Sequence, residues 1–275
     1  MGPEFSLAHL TVLGTTPLEL IDIAAAAGYD YASIRATPVA PGERVTPLAG
    51  DPSMVRQVVH RLADTGVRVL DVELARIGPD EEPDRYVEVL EAAAEVGARH
   101  VIGQLPDPDR SRATDRFGRL CDLAHDYGLT VDLEFPSWSD TGDLAAAAAV
   151  VRGVDRANAG ILIDALHFFR SHSSLDELAA LPATWFHFVQ LCDAPATVPS
   201  SVDGVIHVAR SARSLPGYGG LPLPDLLDLL PAGPYSLEVP NDVLRRELGT
   251  AGFARLVLTL ARAIVASHGQ PAVAR

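Results

Sequence analysis

The chain has 275 residues and a formal net charge of −14, and 48% of its residues are hydrophobic, 21% charged and 6% aromatic. This composition is typical of a globular protein, and the acidic balance argues against non-specific binding to nucleic acid or to an anionic membrane. All 22 basic residues are arginine, which excludes a Schiff-base aldolase, a lysine-bound pyridoxal phosphate enzyme and a P-loop nucleotidase, because each needs a lysine amine.

The cysteines and the apolar runs exclude further classes of protein. Cys121 and Cys192 are the two cysteines of the chain, too few for a disulfide framework or a thiolate zinc cluster. The longest strongly apolar run, Leu144–Val151, is far shorter than the ~20 residues that span a bilayer, and the N-terminus lacks the layout of a signal peptide. We therefore expect a cytoplasmic protein that acts on a small molecule, without a nucleic-acid or membrane partner; whether it forms a homo-oligomer stays open.

Short β-rich runs alternate with longer amphipathic runs along the whole chain. The predicted strands are Ser6–Val12, Tyr31–Arg35, Val67–Leu74, Arg99–Gln104, Thr130–Glu134, Gly160–Asp164, Trp185–Gln190 and Tyr235–Glu238. The predicted helices are Leu18–Ala27, Pro52–Thr65, Pro83–Val96, Asp115–Tyr127, Asp143–Val154, Leu175–Leu181, Pro222–Leu230 and Asp242–Ser267. Gly28, Gly66, Gly97 and Gly128 are expected to end four of these helices in the left-handed conformation.

Eight strand–helix units in strict alternation predict parallel strands joined by helical crossovers. Closing eight units gives a single (β/α)₈ TIM barrel, and 275 residues match the roughly 250 typical of that fold. The alternative, a doubly wound open sheet, usually carries a G-x-G-x-x-G turn after its first strand, and the segment Thr11–Pro17 has none. We therefore predict one barrel domain over residues 1–275, with its chemistry at the carboxyl ends of the strands.

The last four predicted strands each end in a carboxylate or an amide, namely Glu134, Asp164, Gln190 and Glu238. Because side chains alternate along a strand, all four can point into the barrel. Clustered carboxylates raise one another's pKa unless a cation lies between them, and oxygen ligands suit Mg²⁺ or Mn²⁺. The four residues therefore predict a site for one divalent cation; alternatively, each is only a polar cap at the end of a strand.

The chain resembles the xylose isomerase-like barrels of sugar phosphate isomerases and epimerases, a group that includes ketose 3-epimerases, inosose-processing enzymes and 3-dehydroshikimate dehydratases. The resemblance covers essentially the whole chain, and it is carried by Val131–Glu134, Leu162–His167, Val189–Pro195, Ala209–Gly219 and Leu237–Pro240. It implies that the four strand-end residues are the metal ligands. Many members have histidine at the third ligand position, whereas this chain has glutamine, as the dehydroshikimate dehydratases do.

Further candidate residues follow strands six and seven. His167 is a candidate general acid or base, since imidazole titrates near neutral pH; alternatively, it is a loop histidine bonded to a backbone carbonyl. Asp193–Gly220 is predicted to be a long functional loop on the catalytic face. Within it, Arg210 and Arg213 are predicted to bind a substrate carboxylate or phosphate, or else to be solvated surface arginines.

In the first half of the barrel, Arg35, Glu73 and Gln104 end or nearly end predicted strands and are candidate substrate-binding residues. For Glu73, an ion pair with Arg35 or Arg76 is an equal alternative. His9 is expected to be a hydrogen-bonded barrel histidine rather than a ligand.

The other polar residues of the barrel receive structural interpretations. Asp132 is expected to point inward one layer below Glu134 and to bond a neighbouring polar group; alternatively, the strand begins later than predicted. The remaining histidines are expected on helices, at outward strand positions or in the tail, without a functional role, and they include His60, His100, His125, His172, His187 and His268.

This set of residues suits proton abstraction next to a carbonyl, with Glu134 and Glu238 as bases on the two faces of a substrate carbon. We therefore predict a divalent-metal-dependent isomerase or epimerase of a sugar, sugar phosphate or inosose, acting through an enediolate intermediate. One alternative is a 3-dehydroshikimate dehydratase-type lyase, in which His167 moves the proton. A second alternative is a non-catalytic metabolite-binding barrel, and the net charge opposes a nuclease of the same fold.

Overall fold

The computed structural model describes residues 2–39 and 42–268, so the predicted domain of residues 1–275 extends beyond the described part at both ends. Eight parallel strands form a closed barrel in sequence order. They are β1 (Phe5–Ala8), β2 (Tyr31–Arg35), β3 (Arg68–Arg76), β4 (His100–Gln104), β5 (Thr130–Glu134), β6 (Ala159–Asp164), β7 (Val189–Leu191) and β8 (Tyr235–Leu237). The seam closes between β1 and β8, where Ser6 pairs with Ser236. The predicted TIM barrel is confirmed.

Helices follow or separate the strands around the outside of the barrel. They are α1 (Pro17–Ala27), α2 (Pro52–Thr65), α3 (Val87–Glu95), α4 (Arg110–His125), α5 (Leu144–Val154), α6 (Ala165–Arg170), α7 (Leu175–Ala179), α8 (Val202–Ser211), α9 (Leu223–Leu227), α10 (Asp242–Leu248) and α11 (Thr250–His268). Short 3₁₀ turns lie at His9–Val12, Pro83–Tyr86 and Ala183–Trp185.

Local sequence signals explain where α1 begins and ends. The Thr16 hydroxyl accepts the backbone N–H of Glu19 while the Glu19 carboxylate accepts that of Thr16, which forms a capping box. The helix ends at Gly28, whose φ of 90° is left-handed. The other three predicted glycine stops also have positive φ, namely Gly66, Gly97 and Gly128.

The core has two parts, because each strand buries both of its faces. The barrel interior holds an apolar cluster of Tyr31, Leu70, Leu74, Ile102, Leu162 and Phe188. A larger cluster fills the space between the strands and the surrounding helices. On β4 and β6, inward-facing Ile102 and Leu162 each lie two residues before a polar strand end, Gln104 and Asp164. An apolar layer therefore lies directly beneath the polar carboxyl ends.

Several predicted boundaries are corrected. Helix α4 begins at Arg110 rather than Asp115, because the Asp109 side chain accepts the N–H of Arg112 and so caps an earlier start. The single helix predicted over Asp242–Ser267 is two helices separated at Gly249, whose φ is 69°.

Two short helices lie where loop was predicted. His167 lies in α6 rather than in a loop, and Arg210 lies in the last turn of α8, inside the segment predicted to be a long loop. Both helices begin at a side-chain cap, Asp164 for α6 and Ser201 for α8. In each helix the capping side chain accepts a backbone N–H of the first turn, a group that has no partner within the helix.

By length and composition, Thr250–Ser267 is apolar enough to cross a membrane. One face of α11 nevertheless packs on the barrel, and its buried residues are Phe253, Ala254, Val257, Leu258 and Ala261. The Tyr29 hydroxyl also donates a hydrogen bond to the Ala254 carbonyl at 2.9 Å. Burial of one face is what a helix of a barrel's outer layer requires.

Candidate active site

A cavity of about 500 Å³ opens at the carboxyl ends of the strands. Most of the candidate residues line this cavity: Arg35, Glu73, Gln104, Glu134, His167, Gln190, Arg210, Arg213 and Glu238. Asp164 lies directly beside the lining, where it pairs with Arg213. The structure therefore brings all the predicted site residues to one mouth of the barrel.

The four strand-end residues form a buried group of oxygen donors. Glu134, Asp164, Gln190 and Glu238 are each 5% exposed or less. One oxygen of Glu134, one of Asp164 and one ring nitrogen of His167 lie within 4.8 Å of one another. The Gln190 amide donates to Glu238 Oε1 at 3.2 Å, while its carbonyl oxygen is buried and has no hydrogen-bond partner among the residues that the structure describes.

The electrostatics of this group favour a cation. Burial, together with the charge of Asp164, raises the pKa of Glu134 to about 7. Burial also raises the pKa of Glu238 well above its usual value; the Arg213 guanidinium opposes this rise, and the charges of Glu134 and Glu73 add to it. A divalent cation would favour the ionised carboxylates and would give the Gln190 carbonyl a partner. The donor set thus fits a hard ion such as Mg²⁺ or Mn²⁺.

Arg213 links two of the candidate metal ligands. Its guanidinium pairs with Asp164 Oδ2 at 2.6 Å and with Glu238 Oε2 at 2.7 Å. Its Nε also donates to the Ala209 carbonyl at 2.8 Å. The side chain is 2% exposed, so the alternative of a solvated surface arginine is wrong for this residue. The contact of Arg213 with substrate stays a prediction.

His167 is positioned by the start of α6. Asp164 Oδ1 accepts the backbone N–H of His167 at 3.0 Å, which fixes the helix start beside β6. The ring Nε2 lies 3.9 Å from Glu134 Oε1, and the Trp138 ring meets the imidazole edge-on at a centroid distance of 4.9 Å. Burial lowers the pKa of His167 to about 4, and its buried Nδ1 has no hydrogen-bond partner in the described part of the chain. The imidazole is therefore neutral at pH 7 and has a nitrogen available for proton transfer.

Arg210 contributes positive charge at the rim of the cavity. It is partly buried at the end of α8. Burial lowers its pKa, the nearby cations Arg35 and Arg76 lower it further, and Glu43 opposes them. The guanidinium groups of Arg35, Arg76 and Arg210 lie near one another, and an anionic group of the substrate would stabilise them.

The candidates on β2, β3 and β4 bond to other polar residues of the site. Arg35 pairs with Glu73 Oε2 and with Glu43 Oε1, both at 2.8 Å, so the ion-pair alternative for Glu73 is present in the structure. The Gln104 amide donates to Glu134 Oε2 at 2.5 Å. These contacts orient one of the candidate bases, while substrate contact by the three residues stays a prediction.

His9 has the structural environment that was expected of it. Its Nε2 lies 2.9 Å from the Thr15 carbonyl oxygen, and its Nδ1 accepts the Arg35 backbone N–H at 3.1 Å. Both ring nitrogens are therefore used in holding the loop after β1 against β2.

Asp193, which the sequence analysis did not single out, organises the segment predicted as a loop. Its buried carboxylate accepts four backbone N–H groups, those of Ala194, Gly217, Gly219 and Leu221, at 2.8 to 3.1 Å. The Cα of Gly219 lies so close to this carboxylate that a Cβ there would clash with it. The Pro-Gly-x-Gly-Gly run at residues 216–220, at the end of the segment that Asp193 begins, was the sequence signal available for this turn.

His100 and His187 are the clearest errors of the sequence analysis. They were expected on outward positions or helices, yet both bond to Asp132 inside the barrel. The alternation that points Gln104 inward also points His100 inward, so the inward position of His100 could have been predicted from the strand pattern. The bond expected from Asp132 to a neighbouring polar group is confirmed.

Comparison with known proteins gives consistent matches. A family model described as a xylose isomerase-like TIM barrel matches residues 21–256. A relative from Pseudomonas aeruginosa named 3-dehydroshikimate dehydratase is 29% identical over 262 residues, covering 87% of this chain and 38% of the relative. The chain therefore spans well under half the length of that relative.

Solved structures share the fold at low sequence identity. The zinc-bound IolI protein has a TM-score of 0.80 at 17% identity, covering 98% of this chain and 100% of its own. AsbF of Bacillus anthracis, described as a probable 3-DHS dehydratase, has a TM-score of 0.71 at 15% identity, covering 94% and 98%. D-allulose 3-epimerase from Methylomonas sp. has a TM-score of 0.67 at 16% identity, covering 95% and 96%.

Proposed function

The chain belongs to the xylose isomerase-like TIM barrel family, and on that premise we propose that it is a divalent-metal-dependent isomerase or epimerase. Its substrate would be a small polyhydroxylated carbonyl compound, such as a sugar, a sugar phosphate or an inosose. The observation that carries the proposal is the convergence of three buried carboxylates with the unpartnered Gln190 carbonyl oxygen. Glu134, Asp164, Gln190 and Glu238 would hold the cation.

When bound, a divalent cation would polarise a substrate carbonyl or hydroxyl oxygen and so acidify the neighbouring C–H bond. Glu134 on β5 and Glu238 after β8 approach the cavity from different parts of the barrel wall. Gln104 holds the Glu134 carboxylate and Arg213 holds that of Glu238. One carboxylate removes the proton to give an enediolate, and return of a proton from the other face or to the neighbouring carbon completes epimerisation or isomerisation.

A second candidate is a dehydratase of the 3-dehydroshikimate type, and the environment of His167 favours it. The Nε2 of the neutral imidazole lies 3.9 Å from Glu134 Oε1, and Arg210 offers positive charge for a substrate carboxylate. The name of the Pseudomonas aeruginosa relative supports the same reading. In this reaction His167 removes the α-proton, the C–H electrons form a C=C bond, and the β-hydroxyl leaves as water after taking up a proton.

The proposal is tested by assaying 3-dehydroshikimate and a panel of ketoses, sugar phosphates and inososes with Mn²⁺, and then with a chelator. We expect turnover of at least one compound with the metal and its loss with the chelator. Glu238→Gln should abolish turnover of whichever compound reacts, because it removes a ligand charge and a base. Turnover that survives both chelation and Glu238→Gln would overturn the metal-centred site, and absence of metal-dependent turnover across the panel would favour a non-catalytic barrel.

His167→Asn distinguishes the two reactions. We expect a dehydratase to lose about 100-fold or more in kcat, because general acid–base groups contribute about 10²–10⁴-fold, whereas an epimerase that uses the two glutamates should only be slowed. The matched control is His125→Asn, an exposed histidine on α4, which should leave the rate unchanged.

A further inference from the structure

A second cluster of metal-binding side chains lies at the opposite, amino-terminal end of the barrel. His100 begins β4, Asp132 lies in the middle of β5, and His187 comes just before β7. The His187 Nδ1 is 2.7 Å from Asp132 Oδ1, and the His100 Nδ1 is 3.4 Å from Asp132 Oδ2. One potential ligand atom from each of the three residues lies within 4.8 Å of the other two.

Both imidazoles lie against one carboxylate. The His100 Nδ1 also lies 2.7 Å from Thr130 Oγ1, and that hydroxyl donates to Asp132 Oδ2 at 2.8 Å. The rings of His100 and His187 are stacked, with centroids 5.5 Å apart and planes 14° from parallel. Gly160, which pairs with Asp132 across β5 and β6, leaves the space that the cluster occupies. A Cβ at position 160 would clash with the Asp132 carboxylate and would lie 2.7 Å from His187 Nδ1.

Asp132 is fully buried. Within residues 2–39 and 42–268 its ion pairs are with His100 and His187 and not with an arginine. A cation held between the three side chains would give this buried carboxylate a counter-charge.

This cluster is separate from the site at the carboxyl ends of the strands. Asp132 lies two residues before Glu134, about 6.6 Å along the strand. On β4 the apolar Ile102 lies between His100 and Gln104, and on β6 Leu162 lies between Gly160 and Asp164. The His187 side chain is 22% exposed, which gives an ion a route from solvent at the amino-terminal mouth.

We propose that His100, Asp132 and His187 form a second metal site. The site would bind a borderline transition-metal ion, and Zn²⁺ is the ion chosen to test it. Two imidazole nitrogens and a carboxylate oxygen are a common zinc ligand set, and a water molecule from the His187 side completes four-coordination. The site differs in ligand chemistry from the all-oxygen carboxylate and amide set at the other mouth. Its existence does not depend on which reaction the cavity supports.

The test is a Zn²⁺ titration of the metal-stripped full-length chain by calorimetry, with bound metal counted by elemental analysis. We expect the wild type to bind one more ion than His187→Gln, and Glu238→Gln to retain the ion held by the histidines. Any binding left at this cluster in His187→Gln should be more than about 10-fold weaker, since even partners outside the ligand shell change metal affinity by about 10- to 100-fold. With Co²⁺, the visible bands of a four-coordinate nitrogen–oxygen site should appear in the wild type and disappear in His187→Gln.

His60→Gln is the matched control, because His60 is an exposed histidine on α2 and its replacement should leave the stoichiometry unchanged. Equal Zn²⁺ stoichiometry and affinity in wild type and His187→Gln would overturn the proposal and leave a hydrogen-bonded polar cluster. If His187→Gln does not fold, anomalous diffraction at the zinc edge from wild-type crystals decides. A peak among the three side chains supports the site, and its absence at saturating Zn²⁺ overturns it.

Discussion

Arg210 and Arg213 are one helical turn apart in sequence, yet their electrostatic environments differ. Arg213 is neutralised by Asp164 and Glu238, whereas Arg210 shares its side of the cavity with Arg35 and Arg76. Arg213 therefore maintains the candidate metal ligands, and Arg210 is the better candidate for binding an anionic part of the substrate.

Replacing Arg210 with glutamine is expected to raise KM for an anionic substrate by about 10- to 100-fold with a smaller change in kcat. The estimate corresponds to loss of a hydrogen bond to a charged group, about 1.5–3 kcal/mol. Steady-state kinetics on the active compound of the panel would measure this change. Arg56→Gln, on the exposed side of α2, is the control. An unchanged KM in the Arg210 variant would show that Arg210 does not bind the substrate.

Single residues show what the sequence alone could predict about the site. The sequence predicts the four strand-end residues because each ends an apolar run and the parallel strands of a barrel bring such ends together; they are Glu134, Asp164, Gln190 and Glu238. The inward orientation of Arg213 could not be predicted, because it depends on pairing with two acidic residues that lie 49 and 25 residues away in the chain. His187 was missed for a related reason, since it precedes β7 and strand alternation does not determine where it points.

At the scale of elements, Asp107, in the loop between β4 and α4, forms hydrogen bonds that stabilise the start of α4. Both oxygens of Asp107 accept hydrogen bonds from Arg112, at 2.7 and 2.6 Å, and the N–H of Asp109 donates to Asp107 at 2.9 Å. The hydrogen bonds from Arg112 lower the pKa of Asp107. The connection is therefore stabilised by the ionised carboxylate.

Asp107→Asn is expected to lower the free energy of unfolding at pH 7 by about 1 kcal/mol, a modest value because Arg112 is 39% exposed. A lowered pKa in the folded state means that the stabilisation is complete above the unfolded pKa of about 3.9 and is lost as pH falls through the folded value. Urea unfolding of both proteins at pH 7 and pH 3 should therefore show a difference that shrinks at pH 3. A difference that is constant with pH would contradict this account, and Asp64→Asn, at an exposed position on α2, is the control.

The segment between β7 and β8 is ordered by one carboxylate rather than by an apolar core of its own. Asp193→Ala leaves four backbone N–H groups without their acceptor, and we expect a loss of about 2–4 kcal/mol in the local opening free energy. Hydrogen exchange should speed up in residues 214–221 while β2 to β5 stay protected. Asp203→Ala, at an exposed position on α8, should change neither region, and uniform exchange across the chain in the Asp193 variant would indicate global unfolding instead.

Elements differ in how far they could be predicted. Helix α2 has its predicted bounds because Pro52 and Gly66 mark its two ends. Helix α6 was missed because its six residues are too few to show a helical apolar period. Helix α8 was missed although its ten residues are strongly amphipathic, because it lies within a segment whose Pro, Ser and Gly content predicted a loop. Their caps, Asp164 and Ser201, are evident only when the helix itself is known.

At the scale of the whole molecule, metal binding at the carboxylate group should stabilise the fold, since the ion binds the folded chain and not the separated ligands of the unfolded one. Saturation at about 100 times Kd adds about 2.7 kcal/mol, or a rise in Tm of roughly 5–10 °C for a chain of this size. Thermal unfolding with Mn²⁺ and with chelator would measure it. The shift should vanish in Glu238→Gln and persist in Glu247→Gln, an exposed glutamate on α10; a shift retained in Glu238→Gln would place the ion elsewhere.

The ring of strands is sealed between its first and last members, at Ser6 and Ser236. During biosynthesis β1 leaves the ribosome before β8, and Ser6 can pair with Ser236 only after about 230 further residues have been translated. Throughout that interval the growing sheet has two open borders whose backbone groups can pair with other nascent chains. We therefore expect a chaperone that covers those borders until β8 is made to raise the yield of soluble protein.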